Sequence, residues 1–122
     1  MHIAKDLVAA SATPLVLAIL AEGESYGYAI LKRVDELSKG QMEWTDGMLY
    51  PLLHRLQRLG YLETRWHSPP QARRRRYYRI TPAGRKTLAD QRAQWQVVGD
   101  ALREAWHEIR SNTVPLRSPA RA

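Results

Sequence analysis

The sequence contains no cysteine, which excludes a disulfide framework, a thiolate metal site and a cysteine nucleophile. Its four histidines, His2, His54, His67 and His107, are scattered without ligand spacing, so neither a metal site nor a cofactor is expected. A Gly-x-Ser-x-Gly elbow, a phosphate-cradling glycine loop and tellingly spaced carboxylate pairs are also missing, which argues against an enzyme. Long apolar runs are absent as well. The longest uncharged stretch, Leu7 to Ala21, has 15 residues and includes Pro14, fewer than the roughly 18 to 20 that span a bilayer. Asp6 stands where a secretion signal carries positive charge. The expectation is a reduced, cytoplasmic protein with no membrane segment.

What is abundant is arginine, and it is concentrated. The formal charge of the 122 residues is +7. Residues 61–92 carry nine Lys or Arg against two acidic residues, while the segments on either side nearly cancel. A basic patch confined to 32 residues is the electrostatic footprint of a polyanionic partner.

Thr13-Pro14 reads as a cap followed by proline at the first helical position, opening a short helix to about Glu22. Whether Ile3 to Ala12 is a separate helix or the first half of a kinked one stays open. Gly23 ends this element and Ser25 is expected to cap a second helix, in which Ile30, Leu31, Val34 and Leu37 recur at helical spacing. That helix should stop near Ser38, before Gly40.

A third helix is capped by Thr45 or Asp46 and stopped by Gly60, with Leu49, Leu52, Leu53, Leu56 and Leu59 along one face. Tyr50, His54, Arg55 and Arg58 lie opposite. Pro51 removes one backbone bond and crowds the Gly47 carbonyl, so the leading turn must be loose, bent or non-helical. After Gly60 the period changes to alternation. Leu62, Thr64 and Trp66 share one side of a strand, "HSPPQA" supplies a turn, and a returning strand from about Arg74 to Ile80 sets Tyr78 and Ile80 opposite Arg75, Tyr77 and Arg79. Thr81-Pro82 opens a long helix reaching about Ser111, in which Leu88, Trp95, Leu102 and Ile109 recur every seven residues. Val98 and Ala105 fill the complementary offset and Gln91 breaks the seam. Either the chain's own N-terminal helices or a second copy must cover it, and the heptads favour the copy.

Three helices followed by a hairpin with a basic arm make a mainly α fold with a small β-hairpin: a winged helix-turn-helix domain over residues 1–80, a C-terminal dimerisation helix over 81–111, and a disordered tail over 112–122. The third helix would enter the major groove of double-stranded DNA. Tyr50, His54, Arg55 and Arg58 then face base edges and phosphates, Pro51 shapes the leading turn, and Arg73, Arg74, Arg75 and Arg76 supply phosphate contacts. Trp44 and Trp66 read as packing residues, and Trp106 as dimer or domain packing. The competing readings are an architectural, sequence-indifferent DNA binder and an interaction module whose basic hairpin meets an acidic protein.

"SYGYAILKRV", "GMLYPLLHRLQRLGYLE" and "RRRRYYRITPAGRKTL", together with the terminal helix, resemble the PadR family of winged-helix transcriptional regulators, in its short form with one C-terminal helix. The resemblance covers roughly residues 10–110. It implies a homodimeric repressor on a palindromic operator, with Tyr50, Pro51, His54 and Arg55 on the recognition helix and Arg73 to Arg76 on the wing. In the multidrug-sensing branch a tryptophan of the terminal helix faces its mate across the dimer axis and stacks flat aromatic effectors. The resemblance places Trp95 in that role, with Leu7 and Ala10 near the same cavity. Plain packing of Trp95 in the dimer core is the other reading, and Pro14 interrupts the segment that lines the cavity in that branch.

Overall fold

The computed structural model describes residues 1–112, with side chains through residue 109. The tail expected to be disordered lies outside the described residues, except Asn112. The elements are α1 (Lys5–Ala21), β1 (Ser25–Tyr26), α2 (Gly27–Ser38), α3 (Asp46–Arg58), β2 (Leu62–His67), β3 (Arg75–Ile80) and α4 (Pro82–Asn112). The chain divides into two units, Met1–Gln91 and a second that begins at Arg92.

In the first unit, α1 packs on α2 and β3, and α3 packs on α2 and β2. One core joins Val16, Leu17 and Leu20 of α1 to Ile30 and Val34 of α2, Leu49, Leu53 and Leu56 of α3, and Leu62, Tyr78 and Ile80 of the sheet. Each fully buried leucine contributes roughly 1.5–3 kcal/mol relative to exposure. Met42, Trp44, Met48 and Leu88 pack against this core from its edges.

The two proline signals have different outcomes. Thr81-Pro82 behaves as read: the Thr81 hydroxyl accepts the Gly84 N–H (3.0 Å) and donates to the Gly60 carbonyl (2.6 Å), tying the start of α4 to the turn after α3. Thr13-Pro14 does not open a helix, because α1 runs unbroken through both residues. Val8 and Ala12 are buried on the same stripe as Val16, Ile19 and Leu20, and that continuous burial offsets an interior-proline penalty of about 3 kcal/mol. In α3, Pro51 is likewise accepted within the helix. Thr45 is the cap there, its side chain accepting the Met48 N–H at 3.3 Å, and the missing proline amide forfeits a single bond.

Ser25 is not a helix cap. It is extended with Tyr26 and pairs antiparallel with Tyr78 and Tyr77 of β3, and Tyr26 precedes α2 without a side-chain cap. The hairpin is therefore part of a three-stranded sheet of order β1-β3-β2. Lys39 and Gly40 end α2 with positive φ, which turns the chain toward α3. Leu37 and Leu59, placed by spacing on buried faces, are exposed. Leu59 already lies at the C-cap beyond the last helical residue of α3, where the stripe no longer faces the core.

Candidate nucleic-acid interface

The pleat of the hairpin sorts its side chains into two sets. Leu62 faces Ile80, Thr64 faces Tyr78 and Trp66 faces Arg76 on the inner side, toward α3, while Glu63 pairs with Arg79, Arg65 with Tyr77 and His67 with Arg75 on the outer side. On the outer side Arg65 is ion-paired with Glu24, and Arg79 with Glu63. The Arg65 hydrogen bond holds the Glu24 carboxyl below the usual carboxylate range. Among the described residues, Arg73 to Arg76 have no such carboxylate partner. The cationic charge left uncancelled on the wing is thus the part nearest its tip.

That charge faces α3 across an open groove of about 780 Å³, lined by Tyr26, Gly27 and Tyr28, by Tyr50 and His54 of α3, and by Trp66, Arg73 to Arg76 and Tyr78 of the wing. His54 is exposed, as are Arg55 and Arg58 on the same helix. Arg55 also donates to the Thr13 hydroxyl at 3.4 Å, which draws it toward α1. Pro51 is exposed one turn ahead of Arg55. Tyr50 is only partly free: its hydroxyl lies where a side chain on Gly27 would begin, so α2 and α3 approach closely because residue 27 has no Cβ. Gly27 carries no signal by itself in the sequence. Its role depends on which tyrosine reaches it.

The four consecutive arginines do not act alike. Arg73 is exposed in the turn. Arg74 lies over the Trp66 ring at 4.5 Å and Arg75 over the Tyr26 ring at 4.4 Å, both cation–π distances that hold a guanidinium in place while leaving its edge available. Arg76 points inward, donating to Gln57 of α3 and Thr64 of β2. Its neighbour Tyr78 is buried, which raises the phenol's pKa, with Arg76 pulling in the opposite direction and Tyr50 adding to the rise. Trp66, read as a packing residue, is 53% exposed and serves as a shelf for Arg74. The alternation Leu62, Thr64, Trp66 carries it past the edge of the core, and that alternation is visible in the sequence. Trp44 does pack against the core.

The residues assigned to an effector and to dimerisation fall as follows. Leu7 is 57% exposed and Ala10 is also exposed, three residues apart on α1. Leu88 is half-buried and packs on the core of its own chain. In the second unit, Trp95 (40%), Val98, Leu102, Trp106 and Ile109 (71%) are exposed, and their three-four spacing sets them on one stripe of α4. Among the described residues no helix is long and apolar enough to cross a membrane, and no group of three or more His, Asp or Glu is placed to hold a metal ion.

Residues 16–90 match the transcriptional regulator PadR-like family. A transcriptional regulator of Mycobacterium tuberculosis is 38% identical over 79 residues, 64% of this chain and 73% of that protein. Among solved structures, a transcriptional regulator from Clostridium thermocellum superposes with a TM-score of 0.75 at 28% identity, covering 82% of this chain and 97% of the other. A PadR family regulator from Eggerthella lenta gives 0.69 at 33% identity over 83% and 86%.

Proposed function

The chain belongs to the PadR-like family of transcriptional regulators, and from that premise we propose that it is a sequence-specific homodimeric repressor acting in the cytoplasm. Residues 1–80 form the DNA-binding domain and residues 81–111 the helix that pairs with a second copy. The observation that carries this reading is the groove in which the exposed face of α3 and the unpaired arginines of the wing tip meet. His54, Arg55 and Tyr50 read base edges in the major groove, Pro51 shapes the leading turn, and Arg58, Arg73, Arg74 and Arg75 engage phosphates. The apolar stripe through Trp95, Val98, Leu102 and Ile109 is covered by its counterpart in the second copy. Two recognition helices then meet half-sites of a palindrome about one helical turn apart.

Alanine at His54 should relax sequence preference, whereas alanine at Arg73 should weaken binding to all duplexes alike and lower the dependence on salt. An architectural binder would show only the second behaviour. A planar aromatic effector stacking on Trp95 where the two copies meet would release DNA by favouring a dimer whose recognition helices no longer match the half-sites. Tryptophan quenching by such a compound should disappear in Trp95→Ala, and unchanged quenching there would remove Trp95 as the platform.

A further inference from the structure

We infer that Arg76 is a positioning residue that fixes the wing to the recognition helix, and is not a phosphate contact like its neighbours; the inference rests on the DNA-binding reading of the groove. Its Nη2 donates to Gln57 Oε1 (3.3 Å) on α3 and to Thr64 Oγ1 (3.2 Å) on β2. Its Nε is buried and has no hydrogen-bond partner. A guanidinium grips a phosphate through two adjacent N–H groups. With Nη2 already shared between two acceptors and Nε closed off from solvent, Arg76 has no adjacent pair to offer. The guanidinium carbon also lies 5.9 Å from the centroids of both Trp66 and Tyr78, so the head rests against the hairpin's inner face at the wall of the groove.

The consequence concerns specificity. Gln57 sits one turn beyond His54 on α3, and Thr64 and Arg76 belong to the two strands of the wing. One side chain therefore bridges the helix that reads bases to the hairpin that carries Arg73, Arg74 and the Trp66 shelf. Loss of the bridge lets the wing pivot on the helix. Both contact sets survive, but they no longer fit one operator together.

The test compares Arg76→Lys, Arg76→Gln and Gln57→Leu with Arg74→Ala. The full-length protein is titrated with an operator selected from a random pool and with a non-selected duplex across a range of salt concentrations. Arg74→Ala should weaken both duplexes and reduce the salt slope by about 0.9, the effect of one lost phosphate contact. Gln57→Leu leaves the charge intact and should keep the wild-type slope, yet lower the preference for the operator about tenfold, the discrimination carried by one good base contact. Arg76→Lys, which keeps a charge but cannot bridge both acceptors, should do the same. The double variant Arg76→Gln with Gln57→Leu should be no worse than Arg76→Gln alone, since both remove one bridge.

Amide hydrogen exchange without DNA gives an independent readout. The outer ends of β2 and β3 should exchange faster in Arg76→Lys and Gln57→Leu than in wild type, and not in Arg74→Ala. An Arg76→Lys protein that binds as wild type does, with unchanged exchange in the hairpin, would overturn the inference. So would an Arg76→Gln protein that loses about 0.9 in slope with Gln57→Leu silent. If the wild type binds no duplex, the DNA-binding reading fails instead, and the exchange experiment still decides whether Arg76 holds the wing.

Discussion

In α3, Leu49, Leu52, Leu53 and Leu56 are buried against the rest of the first unit. In the part of α4 beginning at Arg92, Trp95, Val98, Leu102, Trp106 and Ile109 form a stripe of comparable spacing and all are exposed. Periodicity in the two helices states the same requirement, a face that must be covered, and leaves open by what. For α3 the answer is internal: its stripe closes the core that α1, α2 and the sheet share. The stripe of α4 is exposed, and on the homodimer reading proposed above a second copy would supply the matching surface at no change in sequence.

The sharpest way to break this comparison is to damage one stripe and ask whether the other responds. Leu53→Ala should lose about 2–5 kcal/mol of stability through a cavity in a closed core, seen as a lower midpoint in thermal and urea unfolding. Leu102→Glu should leave the far-ultraviolet spectrum of the first unit intact but give a monomer by light scattering. Operator affinity should then fall about a hundredfold or more, because the second half-site is no longer held at high effective concentration. If Leu102→Glu unfolded the protein as Leu53→Ala does, the two stripes would not be different in kind.

Smaller effects sharpen the boundary between the stripes. A Cβ on Gly84 would run into the Tyr61 carbonyl and crowd Ile80. Gly84→Ala should therefore destabilise by about 1–3 kcal/mol, reported by the thermal midpoint, by lifting the first turn of α4 from the sheet entry it is bonded to. His54→Ala should leave stability and dimerisation untouched. Its effect should be confined to operator choice, about 1–3 kcal/mol at the base it reads, measured as competition between operator variants.

Much of this was legible in the residues, for reasons that can be named. The leucines of α3 and the heptads of α4 are long periodic signals, and Thr45 and Thr81-Pro82 are caps whose bonds are local. Thr13-Pro14 offers the same local signal, but its outcome was decided by the burial of Val8 and Ala12, a tertiary effect. The strand Ser25–Tyr26 is two residues long and exists only because β3 lies beside it. The run of four arginines marked the wing correctly as basic. It hid the division within the run, because that depends on where the strand begins: Arg75 is its first residue, so the pleat turns Arg76 inward toward Gln57. Gly27 and Gln57 were silent for a similar reason, each mattering only through a partner distant in sequence, Tyr50 and Arg76 respectively.

The most direct test of the central claim is selection of the wild-type protein on a pool of random duplexes, followed by affinity measurement of the enriched sequence against a shuffled duplex at physiological salt. The expected result is a palindromic consensus with half-site centres about 10 base pairs apart, preferred about 10³-fold or more. Failure to enrich any consensus, with all duplexes bound equally and equally weakened by salt, would contradict it and leave the wing arginines as a sequence-indifferent grip on DNA.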